Sequence, residues 1–378
     1  MNLVLPLQAA VAAELSLVSR QTPCALASAA ESLLRVLARG QTVDVQNLRA
    51  AMTDAFGGSD AEGAWDWKSA YDVCEVAQIL FLRKFAPAMR ARAGSSAQFL
   101  DMLGKVAALL PSHTKRSEES QSLQQFSTPI MLGFAASIAA AVSPQDLVLE
   151  PSAGTGLLAI FAELAGAGLV LNEMAEIRAT LLSRLFPDVP VTRHDAAHID
   201  DYLGVETRPT VVLMNPPFSA GAHVDGRVAD AALRHMSSAL ARLEEGGRMV
   251  AITGASLCPE NPTWREAFIC LQERGRVVFS AAVDGPVFAR HGTSVDTRLT
   301  IVDRVAADDP TLFPPSPGTA ADTNILLEWI ERLVPSRASL PPAVVALRPP
   351  SPTHRLAETA RRSAPASPAQ CRAPGPPR

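Results

Sequence analysis

Apolar residues recur every three or four positions through Ala25–Leu37 and Tyr71–Phe85, the spacing of amphipathic helices. β-branched runs are few across the first 125 residues, so this region is predicted to be helical. From residue 147 the pattern changes to short apolar runs: 147–154, 169–173, 191–196, 211–218, 248–253, 277–282 and 298–303. Helical stretches lie between most of them, and this alternation predicts a mostly parallel sheet covered on both faces. Ligands of such sheets bind at the carboxyl ends of the strands. Further on, Asn324–Val334 reads as one amphipathic helix that docks back or onto a partner. Beyond Arg348 the chain is Pro, Ala, Ser and Arg without period, and disorder is expected there.

Composition narrows the class. The 378 residues are 48% hydrophobic and 19% charged, with a net charge of −4, the profile of a soluble protein of more than one domain. No uninterrupted apolar run reaches the ~18 residues of a membrane span. The first residues lack a basic segment, so no secretory signal is expected. Cys24, Cys74, Cys258, Cys270 and Cys371 form no CxxC pair and read as reduced thiols of a cytoplasmic protein.

The charge divides unevenly. Residues 1–125 carry 12 basic and 12 acidic side chains, residues 126–310 carry 14 and 22, and residues 311–378 carry 8 and 4. The last stretch also starts just after Pro310, from which half of the 30 prolines follow. Three regions are therefore expected: a helical domain over 1–125, an α/β domain over 126–310 and a Pro-rich, mostly disordered tail over 311–378.

Four clusters carry candidate chemistry. The first, Glu150-Pro-Ser-Ala-Gly-Thr-Gly156, ends a strand and opens an apolar helix. Its glycines allow a tight turn and close approach of a ligand. No lysine follows, so a nucleotide triphosphate would lack its cation, and an adenosine ligand without phosphates fits better. Second, Glu173 ends the next strand about 20 residues later, where an acid can accept from both ribose hydroxyls. Third, Asp195 ends the third strand, placed to hold an adenine amino group. His194 and His198 flank it without a third ligand, so no metal is expected. Fourth, Asn215-Pro-Pro-Phe218 follows a buried run. The Asn215 amide oxygen and the Pro216 carbonyl can accept both hydrogens of one planar NH₂, leaving its lone pair aimed outward. Phe218 can stack on the ring that bears the amine. Trp65 and Trp67 read as core anchors between helices rather than base-stacking platforms.

In this order the motifs resemble those of class I S-adenosylmethionine-dependent amino-methyltransferases, and NPPF resembles the form that acts on adenine N6 in DNA. Phe126-Ser-Thr-Pro129 is similar to the segment that precedes the glycine turn in γ-type enzymes and type I modification subunits. Residues 109–129 and 288–304 look most like the methylase part of bacterial strawberry-notch-like methylase/helicase proteins. The resemblance covers about residues 25–310. It implies a Rossmann-like class I methyltransferase sheet behind an N-terminal helical domain, with S-adenosylmethionine as cofactor. Thr128 and Pro129 would line the methionine end, and Glu150 with the backbone of Ala153, Gly154 and Gly156 would hold its amino-acid portion. Glu173 would bind the ribose, and Asp195 with Ala196 the adenine. Asn215, Pro216, Pro217 and Phe218 would be catalytic. The implied partner is DNA, together with a helicase or target-recognition partner. Two other readings stay open: an RNA-base or protein-glutamine N-methyltransferase, and a non-catalytic cofactor-binding module. The chain has no Walker GxxxxGK[ST] motif, so a truncated or frameshifted relative is the expectation.

Overall fold

The computed structural model describes residues 22–113, 127–217 and 231–337. Expectations placed on Phe126, on Phe218 and on the Pro-rich stretch beyond Arg337 lie outside the described residues.

Among the described residues, four helices open the fold: α1 over 22–37, α2 (Val45–Phe56), α3 (Trp67–Arg92) and α4 (Ser96–Ala108). Local chemistry sets their starts. Asp44, Asp66 and Ser95 each accept a hydrogen bond from the N–H three residues on, which satisfies an orphan donor of the first turn. The periodic stretches found in sequence form the middles of α1 and α3. Trp65 is buried and meets Trp67 edge to face at 5.5 Å, so the pair anchors helices, as expected.

Eight strands form one sheet: β1 (Leu147–Glu150), β2 (Gly168–Asn172), β3 (Val191–Thr192), β4 (Val211–Met214), β5 (Arg248–Gly254), β6 (Arg276–Val283), β7 (Thr297–Asp303) and β8 (Thr319–Ala320). Their order is β3-β2-β1-β4-β5-β7-β6-β8. The first five are parallel, whereas β7 runs antiparallel between β5 and β6. This is the expected Rossmann-like α/β sheet, preceded by a helical region. The strand order reverses at β1/β4, which puts the ligand crevice at their carboxyl ends.

Helices cover both faces, and the strands show why. Val148, Val211, Leu213, Val250 and Ile252 enter one apolar cluster, while Leu149, Val212, Met214, Met249 and Ala251 enter the other. That is the period-two alternation of a sheet buried on both sides. One face packs α5 (Ile130–Ala139), α6 (Ala159–Leu164), α7 (Glu176–Leu185) and α11 (Thr323–Leu333). The other packs α9 (Ala231–Arg242) and α10 (Pro262–Gln272), and the short α8 (Ile199–Tyr202) joins it through Ile199.

The N-terminal helices share the first of these cores. Two bidentate ion pairs fasten α3 to it: Arg83 to Glu163 at 2.7 Å, and Arg178 to Asp72 at 2.7 and 3.2 Å. The amphipathic helix expected over 324–334 is α11. It buries Leu326, Leu327 and Ile330 against α5 and β6, so residues placed by composition in the tail belong to this core. Arg248, 1% exposed, closes the same edge by pairing with Asp303 at 2.6 and 2.9 Å and donating to the carbonyls of Ala139 and Pro335.

Candidate active site

Beyond β1 the chain turns through two left-handed glycines, Gly154 at φ +56° and Gly156 at φ +98°. They do different work. A Cβ on Gly154 would meet nothing within 4 Å, and this residue faces a cleft of about 180 Å³. A Cβ on Gly156 would lie 2.7 Å from the Phe186 ring and 3.1 Å from Leu182. Gly156 therefore seats the turn on α7 and does not line the cleft.

Asn172 stitches the strand ends together. Its Nδ2 donates to the carbonyls of Pro151 (2.8 Å) and His194 (2.9 Å), and its Oδ1 accepts from the His194 N–H and the Thr192 hydroxyl. All four amide hydrogen-bonding positions are used, so the ends of β1, β2 and β3 are held in one register. The neighbouring Glu173 accepts from the N–H groups of Gly154 (2.8 Å) and Ala175 (2.9 Å). Each carboxylate oxygen keeps a second lone pair for a ligand hydroxyl.

Glu150 is 2% exposed. Its Oε2 is buried with no hydrogen-bond partner among the described residues. Burial holds its carboxyl well above the usual range; an N–H from Ala159 acts the other way, and the charge of Glu173 adds to the rise. A buried acid that lines a cleft with one oxygen unpaired is a receptor for a cation or donor.

Across the cleft, the Asn215 Nδ2 donates to the Thr128 hydroxyl at 3.0 Å. That bond fixes the orientation of the amide and leaves Oδ1 as its acceptor end. Asp195 caps a 3₁₀ turn by accepting from Ala197, and Ala196 is buried beside it.

The cleft therefore brings together Thr128, Glu150, Ala153, Gly154, Glu173, Asp195, Ala196, Asn215, Pro216 and Pro217. Pro129 instead begins α5, Gly156 packs behind the turn, and Phe218 lies outside the described residues. His194 stacks on Tyr202 at 4.5 Å and lines the cleft, as does His235 of α9.

Sequence reasoning missed a second set, which comes from outside the strand ends. Glu75 in α3 reaches the glycine turn, where it accepts from the Thr155 hydroxyl at 2.5 Å and from the Ser127 hydroxyl. Burial, and next the neighbouring Asp72, push its carboxyl up to about 7, while Arg178 acts against them. Arg178, held by Asp72, also lines the cleft. A mid-helix acid has no local signature. Only the run of successive buried positions from Ala70 to Ile79 in α3 marks a helix covered on all sides.

No family model matches the chain, and no curated protein matches it. Solved structures do. TrmN from Thermus thermophilus is 18% identical with a TM-score of 0.36, over 50% of this chain and 52% of that one. The chain thus spans about half the length of that relative. The type I restriction enzyme EcoKI M protein is 15% identical, with a TM-score of 0.41 over 75% of this chain and 68% of that one. A class I S-adenosylmethionine-dependent methyltransferase of Listeria monocytogenes is 11% identical, with a TM-score of 0.46 over 84% and 99%. All three scores fall below 0.5, and no family membership follows from them.

Proposed function

We propose that the cleft binds S-adenosylmethionine and that the protein transfers its methyl group to an exocyclic amine, adenine N6 in DNA. The observation that carries this reading is the pairing of two features across one cleft. On one side stands a buried Glu150, whose Oε2 has no hydrogen-bond partner among the described residues, beside an open left-handed Gly154. On the other stands Asn215-Pro216-Pro217, with the Asn215 amide oriented by Thr128.

The residues fit the cofactor. Glu150, which pairing with a cation would ionise, is a receptor for the methionine ammonium, and Arg178 lines the same cleft as a partner for its carboxylate. Glu173 accepts from the ribose hydroxyls, and Asp195 with Ala196 borders the adenine. When bound, the cofactor supplies an electrophilic methyl on sulfonium sulfur. The protein's part is to present the nucleophile. Asn215 Oδ1 and the Pro216 carbonyl accept the two amine hydrogens, so electron density stays on nitrogen and no strong base is needed. A duplex acceptor must flip its adenine to reach this point.

Asn215→Ala removes one acceptor, and a fall in kcat of at least ~10²-fold is expected, the usual cost of losing such a group. The assay is tritiated methyl transfer to DNA. Equal incorporation by both proteins would sink the mechanism. Incorporation into rRNA or protein but not DNA would keep the chemistry and replace the acceptor. Tight cofactor binding without turnover on any acceptor would leave a binding module.

A further inference from the structure

Glu75 lines the cleft and also a second, smaller cavity, where three ligating side chains from distant segments converge. Glu75 lies in α3, His113 follows α4, and His291 ends the 3₁₀ turn after β6. Their ligand atoms all lie within 4.8 Å of one another. We propose that Glu75, His113 and His291 bind one divalent transition-metal ion, with zinc as the best match. This goes beyond the transfer reaction and reverses the metal-free expectation from sequence.

The donor set points that way. Two imidazoles and one carboxylate make up a common zinc site, with further positions open to water. A separate observation singles out the ligand: the His291 Nδ1 is buried with no hydrogen-bond partner among the described residues. A buried imidazole nitrogen left unpaired is unfavourable, and coordination would remove that cost.

The histidines are also held in place without a metal. The His113 backbone N–H donates to the Arg290 carbonyl at 2.8 Å, and the Arg290 guanidinium donates to the Leu110 carbonyl at 2.6 Å. His113 stacks on Tyr71 at 4.1 Å and meets His291 edge to face at 5.1 Å. A cavity of about 30 Å³ adjoins all three ligands, room for one water. Tetrahedral zinc separates its ligand atoms by about 3.4 Å, so the side chains must close by on the order of 1 Å. Arg290 opposes a cation here; Glu75, once ionised on the metal, offsets it.

Glu75 also accepts from Thr155 and Ser127, so an ion here would tie α3, the glycine turn and the entry to α5 into one unit.

The test uses the full chain, purified without a histidine tag and stripped with chelator. It is titrated with zinc and, for spectroscopy, with cobalt(II). One equivalent should bind, with a cobalt spectrum of low-symmetry N/O ligation. His291→Ala and His113→Ala should each weaken zinc at least tenfold. His291→Asn, which is smaller and polar, serves as a second variant if alanine impairs folding. No stoichiometric zinc, or unchanged affinity in folded variants of both histidines, would overturn the proposal.

Discussion

Replacing each glycine of the turn by alanine separates folding from binding, because the two residues meet different surroundings. At Gly156 an alanine must hold φ near +98° and push its methyl to 2.7 Å from Phe186 and 3.1 Å from Leu182. Left-handed backbone costs an L-residue about 1–2 kcal/mol, and overpacking a core about 1–3 kcal/mol. Replacing glycine also restricts the unfolded chain, which returns about 0.4–1 kcal/mol. Gly156→Ala should therefore lose about 1–4.5 kcal/mol of stability. At Gly154 only the backbone cost applies, since its methyl would meet no atom within 4 Å. Gly154→Ala should lose about 0–1.5 kcal/mol. Its methyl instead enters the cofactor cleft, so affinity for S-adenosylmethionine should fall at least tenfold. Urea denaturation of the ligand-free chain and calorimetric titration of the cofactor read the two effects separately. Gly154→Ala as unstable as Gly156→Ala, or binding cofactor with unchanged affinity, would refute this division of roles.

Three further outcomes follow from the same structure. Glu150 has a raised pKa in the folded chain, so the stability it contributes is full below its ordinary value of 4.5 and is lost as pH rises through the folded value. Ligand-free Glu150→Gln should thus melt higher than wild type at neutral pH by scanning calorimetry, yet bind cofactor poorly; a lower melting point would contradict the burial argument. Asp303→Ala strands the buried Arg248 and should cost about 3–5 kcal/mol in urea unfolding. Leu327→Ala, fully buried on α11, should cost about 2–5 kcal/mol by the same assay; no loss would place this helix outside the core.

Seven strands and the helical character of the first region were legible because burial writes its period directly into the chain. The runs over 147–154, 169–173 and 211–218 each contain the strand end that borders the cleft, at Glu150, Asn172 and Met214. β8 is only Thr319–Ala320, too short to carry any period, and its edge of the sheet escaped notice for that reason. The core continues past Pro310 because α11 docks on α5, whereas composition saw only proline there. Glu75 and Arg178 were missed because their positions depend on how α3 lies across α7, a tertiary fact without local pattern. Gly156 was assigned to cofactor binding from its motif; its contact with Phe186 shows a packing constraint that spacing alone does not separate from a ligand constraint. His113 and His291 stood in segments singled out for family likeness, but 178 positions separate them in sequence, and only the fold brings them within reach of one ion.

The region over 126–310 carries a net charge of −8, and phosphate contacts supply most non-specific DNA affinity. Turnover is therefore a better test of the DNA reading than binding. The most direct measurement is mass spectrometry of nucleosides from DNA incubated with S-adenosylmethionine and either wild type or Asn215→Ala. The account predicts N6-methyldeoxyadenosine with wild type and at least ~10²-fold less with the variant. Methylation at another base position, or equal N6-methyldeoxyadenosine from both proteins, would contradict it.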